Sequence, residues 1–447
     1  MRKIILTAFL ICSSSLVYSQ SDVKTGWNFG ALPSVAFDTD LGFQYGALTN
    51  IYYYGGGTTY PEYIHSIYLE AAYTTKNNGI FRFSYDSKKL IPDHQITFDI
   101  AYTPDEMCDF TGFNGYQSVF NRDWADDESS DYRSRAFYKF KRNLLRINAD
   151  IKGNINGPFK WNAGIGLLDY SVGSVNIDRL NKGKDDKDKL PAIDGIFEKY
   201  QSWGLIDADE TKGGLFPYIR GGVTYDTRNR TAAPSKGIWS DMFLTYTAAF
   251  GDQSKYNSLK LNANFCQYIP VYGQDVVFAY RLSTQLSLAG STPFYMSSFQ
   301  NNLFMKRVMY EGLGGASSLR GVMRNRAISD GFAMANIEFR IKLAKFDIGK
   351  QHYYVAVNPL LDMGAILQPF SLDEQSVRNA VSNDGENVDD YFDFNRSVIY
   401  KPHFSGGMGL KIAMNENFIL SVDWATPFDK QDASKTSNMY IKMGYLF

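Results

Sequence analysis

From Trp27 onward, polar and apolar side chains alternate along short segments separated by turn residues. Successive side chains of a strand point to opposite faces, so strict alternation describes a strand with one apolar and one wet side. The last segment is the clearest case. Met439, Ile441, Met443, Tyr445 and Phe447 share one face, predicted to meet lipid, and Tyr440, Lys442 and Gly444 share the other. Phe418, Leu420, Val422 and Trp424 repeat the pattern against Ser421 and Asp423.

Soluble sandwiches alternate too, so the count and the loops carry the decision. The pattern predicts strands near 27–37, 41–54, 63–75, 79–90, 94–103, 132–152, 158–174, 215–226, 237–250, 257–269, 275–289, 331–345, 351–366, 401–414, 417–427 and 437–447, sixteen in all. The long polar connections, 104–131, 175–214, 290–330 and 367–400, all follow odd-numbered strands and so fall on one side of a meander. The other connections are mostly short turns, the longest being the Pro-containing segment near 227–236. An even strand number with long loops at one end is the signature of a transmembrane barrel, and closure removes the free edges that hydrocarbon does not tolerate. The predicted fold class is all-β, a 16-stranded antiparallel transmembrane β-barrel. Within 175–214, Ile196, Phe197, Tyr200 and Trp203 fall at helical spacing and predict one short helix.

The N-terminus changes the compartment. Arg2 and Lys3, an apolar run from Ile4 and small residues up to Ser19 make a secretory signal peptide over 1–19, leaving 20–447 as the barrel. No later run reaches the ~18 apolar residues of a membrane helix. The expected location is the bacterial outer membrane, with outer-membrane lipid as surroundings. Lys+Arg 46 against Asp+Glu 47 removes the electrostatic case for nucleic acid as a partner. With 31 Tyr and 32 Phe the chain is rich in residues that favour sheet. Cys108 and Cys266 are too few and too far apart for a disulfide framework or a zinc site, and no metal or cofactor is expected. Among His65, His94, His352 and His403, only His403 has a serine, Ser405, on its face, without a visible acid or oxyanion site, so no enzyme is expected.

The sharpest chemistry lies in three segments. Gly312-Leu-Gly-Gly-Ala-Ser-Ser-Leu-Arg320-Gly321 is a glycine-rich loop with one arginine at its tip. In the next two strands Glu338, between Ile337 and Phe339, and Asp362, between Leu361 and Met363, must face the lumen. An arginine inside a barrel against two carboxylates makes charge-assisted bonds that would pin the loop there. An ordinary porin interior, with these charges as selectivity groups, uses the same residues.

This constellation resembles the C-terminal barrel of the BamA/TamA bacterial surface antigen superfamily, in which a sixteen-stranded barrel holds an Arg-Gly loop motif against acids of the following two strands. The resemblance assigns Arg320 and Gly321 to the motif and Glu338 and Asp362 to its partners. Asp226-Thr-Arg228-Asn229, continuing to Pro234 and Gly237, is similar to the family's Asp-x-Arg-Asp…Pro-x-x-Gly turn, with Asn229 in place of the second acid. Tyr445 and Phe447 resemble the aromatic-ended assembly signal of outer-membrane barrels. Family insertases and translocases carry POTRA domains ahead of the barrel, whereas only Gln20 to Gly26 precede the first strand here, so the resemblance implies a barrel lacking them. It implies a component of outer-membrane protein assembly or translocation, partnered by other assembly proteins or by POTRA-bearing chains, with a weakly paired seam between first and last strands. A passive diffusion pore and an accessory barrel binding a partner through its loops are the alternatives.

Overall fold

The computed structural model describes residues 23–60, 62–296, 312–349, 351–415, 418–435 and 437–447; the expected signal peptide lies outside the described residues. Sixteen strands form one antiparallel barrel: β1 (Trp27–Pro33, resuming at Ala36–Asp38), β2 (Gly42–Tyr53), β3 (His65–Thr74), β4 (Gly79–Ser87), β5 (His94–Thr103), β6 (Lys139–Asn156), β7 (Phe159–Gly173), β8 (Gly213–Asp226), β9 (Gly237–Thr247), β10 (Ser258–Tyr272), β11 (Val276–Gly290), β12 (Gly331–Ile348), β13 (Gln351–Gln368), β14 (His403–Met414), β15 (Phe418–Pro427) and β16 (Asn438–Met443). Each pairs with the next, and β16 returns to β1.

Alternation sorts the side chains as expected of a membrane barrel. Ile165, Ile219, Leu244, Leu343, Met408 and Trp424 stand on the outer wall, while Asn148, Asn262, Asn336, Asn358 and Asp423 line the lumen and are buried. Strand boundaries differ from the pattern at β1, β6 and the end of β16. β1 is interrupted at Ser34 and Val35, where the Ser34 hydroxyl turns to Glu70 and accepts from Gln44. β6 begins at Lys139 rather than near 132, because Phe137 and Tyr138 are drawn into a loop core.

That core is the main departure from the expectation of polar connections. The loops at one end fold over the lumen and bury their aromatic residues together. Phe110 sits at the centre, edge-on to Phe113, Phe140 and Tyr200. The predicted helix forms over Ile196–Ser202 and turns Ile196, Phe197 and Tyr200 into this cluster. Burying each such ring contributes about 1.5–3 kcal/mol, enough to order loops that would otherwise be solvated. Arg133 stacks on Trp124 at 3.9 Å and closes the rim by pairing with Glu386. Cys108 and Cys266 are free and buried.

Within the cap, Glu210 is buried and accepts from the Phe294 amide at 3.0 Å. Burial pushes its carboxyl up to about 7, so the folded state binds a proton more tightly than the unfolded chain and stability falls as pH rises from 4.5 through 7. Glu210→Gln, which removes the charge, is therefore expected to melt above the wild type at pH 8 and together with it at pH 4. Equal melting offsets at both values would contradict this.

Candidate functional site: a buried arginine in the lumen

The segment Gly312 to Ala327 folds back from the capped end into the barrel. Its turns need glycine: Gly314, Gly315 and Gly321 hold φ of 117°, 102° and 96°, values that other residues rarely adopt. A Cβ on Gly314 would stand 2.2 Å from the Met323 carbonyl oxygen. Leu313 and Leu319 pack with Val322, Met334 and Ile366, an apolar seat on β12 and β13.

Arg320 is completely buried. Its Nε and Nη2 donate to the two oxygens of Asp362, each at 2.9 Å, and its backbone amide donates to Asp362 Oδ2 at 2.9 Å. Nη1 donates to Glu338 Oε1 at 2.6 Å. The sequence reading named these two carboxylates but missed a third. Asp423 Oδ2 lies 3.6 Å from Nη1, while its other oxygen pairs with Lys411. Asp423 faces the lumen, as its alternation requires; what local spacing does not reveal is that the curved wall turns β15, two strands beyond β13, toward the arginine. Arg340 braces Glu338 at 2.9 Å, and Lys442 reaches both Asp423, at 3.6 Å, and the Ala316 carbonyl, at 3.1 Å.

Gly321 ties the same loop to the last strand. Its amide donates to the Tyr440 hydroxyl at 3.0 Å and its carbonyl accepts from Asn438 at 2.9 Å. The loop also carries more than one functional arginine. Arg324 pairs with Asp105 and Asp109, both at 2.8 Å, and Arg326 donates to the Gly115 and Ser118 carbonyls and lies 3.4 Å from Asp432. Sequence spacing had shown one arginine at a tip; the fold uses three, one in the lumen and two anchoring the cap.

The second predicted motif forms the β8–β9 turn. Arg228 grips Asp226 with two bonds, at 2.9 and 2.8 Å, and lies 4.4 Å from the Trp239 ring. Asn229 accepts from the Ser235 and Lys236 amides, both at 3.1 Å, a task its carbonyl performs as a carboxylate would. Pro234 is buried, and Gly237 holds φ of 108°, where a Cβ would meet the Thr227 carbonyl oxygen at 2.3 Å.

Tyr445 and Phe447 do not face lipid. β16 ends at Met443, and Gly444, at φ of 84°, turns the chain inward, so Tyr445, Leu446 and Phe447 are buried in the lumen. His403 has an acid after all, Asp432 at 2.8 Å from Nδ1, but its Nε2 faces Gly115, where a Cβ would stand 2.6 Å away. Among the described residues, no group of His, Cys, Asp and Glu is arranged to hold a metal.

Residues 65–447 match the Omp85 superfamily domain. The chain belongs to the Omp85 superfamily. Among solved structures it is similar to BamA from Haemophilus ducreyi lacking POTRA domains 1–3, with TM-score 0.55 and 16% identity over 94% of this chain and 71% of that one. It is similar also to CdiB from Escherichia coli, with TM-score 0.54 and 11% identity over 95% of this chain and 63% of that one. At such identities the likeness is one of fold. No curated protein matches.

Removing one partner of a buried ion pair costs about 3–5 kcal/mol, because the other charge is left uncompensated. Arg320→Ala is therefore expected to lower barrel stability by an amount of that order and to open the 312–327 segment to trypsin at Arg324 and Arg326. Retention of wild-type trypsin resistance would show that the pairing does not hold the segment.

Proposed function

We propose that this Omp85 barrel is an integral outer-membrane protein that takes part in assembling or translocating other polypeptides, through strand addition at the β1–β16 seam. One observation carries the reading. Only Phe37 and Asp38 of β1 pair with β16, opposite Ile441 and Tyr440, with Thr39 adding bonds to Met439 at 3.1 and 2.8 Å. Trp27–Pro33 pairs with β2 on one side, and among the described residues no strand pairs with its other side. Phe29 of that edge is 82% exposed. An unpaired edge is costly in hydrocarbon, where backbone groups find no water, and it is the template that an incoming strand completes. The inward turn at Gly444 removes the residues that would have covered it.

In this reading the Arg320 lock holds the loop and the last strand together, through Gly321 to Tyr440 and Asn438, so that opening of the seam starts at the end remote from the cap and proceeds through the Phe37–Ile441 pair. Partners bearing periplasmic domains would deliver the client chains. A passive pore is less well supported: the loop fills the lumen beneath an aromatic cap, and residues 445–447 lie across the other end.

The test is a reversible lock. Phe37→Cys with Ile441→Cys places two thiols on directly opposed residues of antiparallel strands. Depletion of the wild-type protein is expected to lower the levels of several other outer-membrane proteins, and the reduced double variant, but not the oxidised one, is expected to restore them. Unchanged levels on depletion, or restoration by the oxidised form, would refute the proposal.

A further inference from the structure

We propose that Glu70 is a latch on the seam with two resting places, the Ser34 hydroxyl and the Arg82 guanidinium, and that its choice between them sets how far β1 and β16 close. The inference rests on the reading of the seam as the working part and names what regulates it.

In the structure Glu70 holds Ser34. Ser34 is buried in the interruption of β1 and fixed by three bonds. Its amide donates to the Gly46 carbonyl at 2.9 Å, its hydroxyl donates to Glu70 Oε1 at 3.0 Å, and that hydroxyl accepts from Gln44 Nε2 at 2.7 Å. The bond to Glu70 spans the whole width of β2, because Glu70 belongs to β3. Gly46 lies between the two strands at this level, opposite Ala72, and has no side chain to block the reach. Tyr68 supports the other Glu70 oxygen at 2.7 Å. The interruption leaves the register untouched: Pro33 faces Ala47 before it and Ala36 faces Gln44 after it. β1 can therefore rejoin its ladder without slipping, which would turn every side chain to the wrong face.

Arg82 is the second place. Glu70 and Arg82 are directly opposed on β3 and β4. Opposed residues of antiparallel strands stand about 4.5–5.5 Å apart at Cβ, and opposite charges there ordinarily pair. Arg82 turns instead to Asp99, donating from Nε at 2.7 Å, while the other Asp99 oxygen takes Arg146 at 2.8 Å. Arg82 Nη2 is left buried with no hydrogen-bond partner among the described residues. A guanidinium keeps its proton, so only an acceptor can answer that nitrogen. The same guanidinium lies 5.6 Å from the ring of Tyr68, whose hydroxyl supports Glu70. A carboxylate that leaves Ser34 thus finds an unanswered donor one strand away, and the exchange of one charge-assisted bond for another keeps the two positions close in free energy.

The choice acts on the seam through Val35. The register that sets Asp38 against Tyr440 and Phe37 against Ile441 continues to Val35 against Met443, the first outward pair that the interruption leaves open. Both side chains are exposed on the outer wall. With Glu70 on Ser34, residues 34 and 35 stay off the ladder and closure ends at Phe37. With Glu70 on Arg82, Ser34 is free to straighten and Val35 takes its rung on Met443. Pro33, which has no amide to donate, limits the extension to that rung.

The experiment uses full-length protein in detergent carrying Val35→Cys and Met443→Cys, and follows the rate of disulfide formation under a fixed oxidant. Ser34→Ala, which removes the first resting place, is expected to raise the rate about tenfold. Adding Arg82→Gln to Ser34→Ala removes the second place as well and is expected to bring the rate back near its starting value. Should Arg82→Gln fail to fold because Asp99 loses a donor, Glu70→Gln added to Ser34→Ala serves instead: it carries no charge for Arg82 and is expected to give the same reversal. A Ser34→Ala rate equal to that of the parent would overturn the proposal. So would a second substitution that raises the rate further, which is what mere loosening of the wall produces. The cross-link forms without any client, so it reports on the latch alone, whereas the depletion experiment above reports on what the seam is for.

Discussion

A charge without water must be answered by charge, and the lumen of this barrel is organised around that constraint. Arg320 is fully buried, and leaving a guanidinium there unpaired would cost more than the whole loop could recover from packing. Asp362 and Glu338 meet it with short, directed bonds, and Asp423 completes the ring. Glu338 has a further cation in Arg340, and Asp423 has two, Lys411 and Lys442. The result is a network drawn from β12, β13, β14, β15, β16 and one loop, so that strands distant in sequence are fixed in one register. Arg324 and Arg326 extend the same principle to the cap, where they bind the 104–131 connection.

This arrangement makes the two ends of the seam unequal. Near the cap, β16 is held twice, by its pairing to β1 and by the bonds from Gly321 to Tyr440 and Asn438. At the other end, among the described residues, no strand pairs with Trp27–Pro33 on that side, and Gly444 directs the chain into the lumen. The apolar gain of burying Leu446 and Phe447 offsets the ladder that β16 gives up there. A barrel normally abolishes edges by closing; here closure is complete over a short stretch only, which is the physical basis for reading the seam as the working part.

Much of this was legible in the sequence because a membrane imposes a period of two and a parity on the loops. Those constraints account for the strand count and the lumen faces of Glu338, Asp362 and Asp423; the conjunction of Arg320 with the first two came from the family resemblance. What escaped the pattern was longer in range. Asp423 reaches Arg320 because the wall curves from β13 through β14 to β15, and no local spacing announces that. The cap was read as polar because its aromatic residues are scattered among charges at no fixed period; Phe110, Phe197 and Phe294 find one another only in three dimensions. Tyr445 and Phe447 fitted the outward alternation, and the reading failed at one residue, since a glycine with positive φ ends a strand without changing its period.

The central claim, that Arg320 and its carboxylates act as one unit, is tested most directly by a double-mutant cycle of Arg320→Gln and Asp362→Asn, read as urea-unfolding free energies of the refolded barrel. Each single variant leaves an unanswered charge, and the double variant leaves less. The predicted coupling is about 1–3 kcal/mol, with the double variant losing that much less stability than the two singles summed. Additive losses would mean that the two side chains do not depend on each other, and the account of the lumen would fall with them.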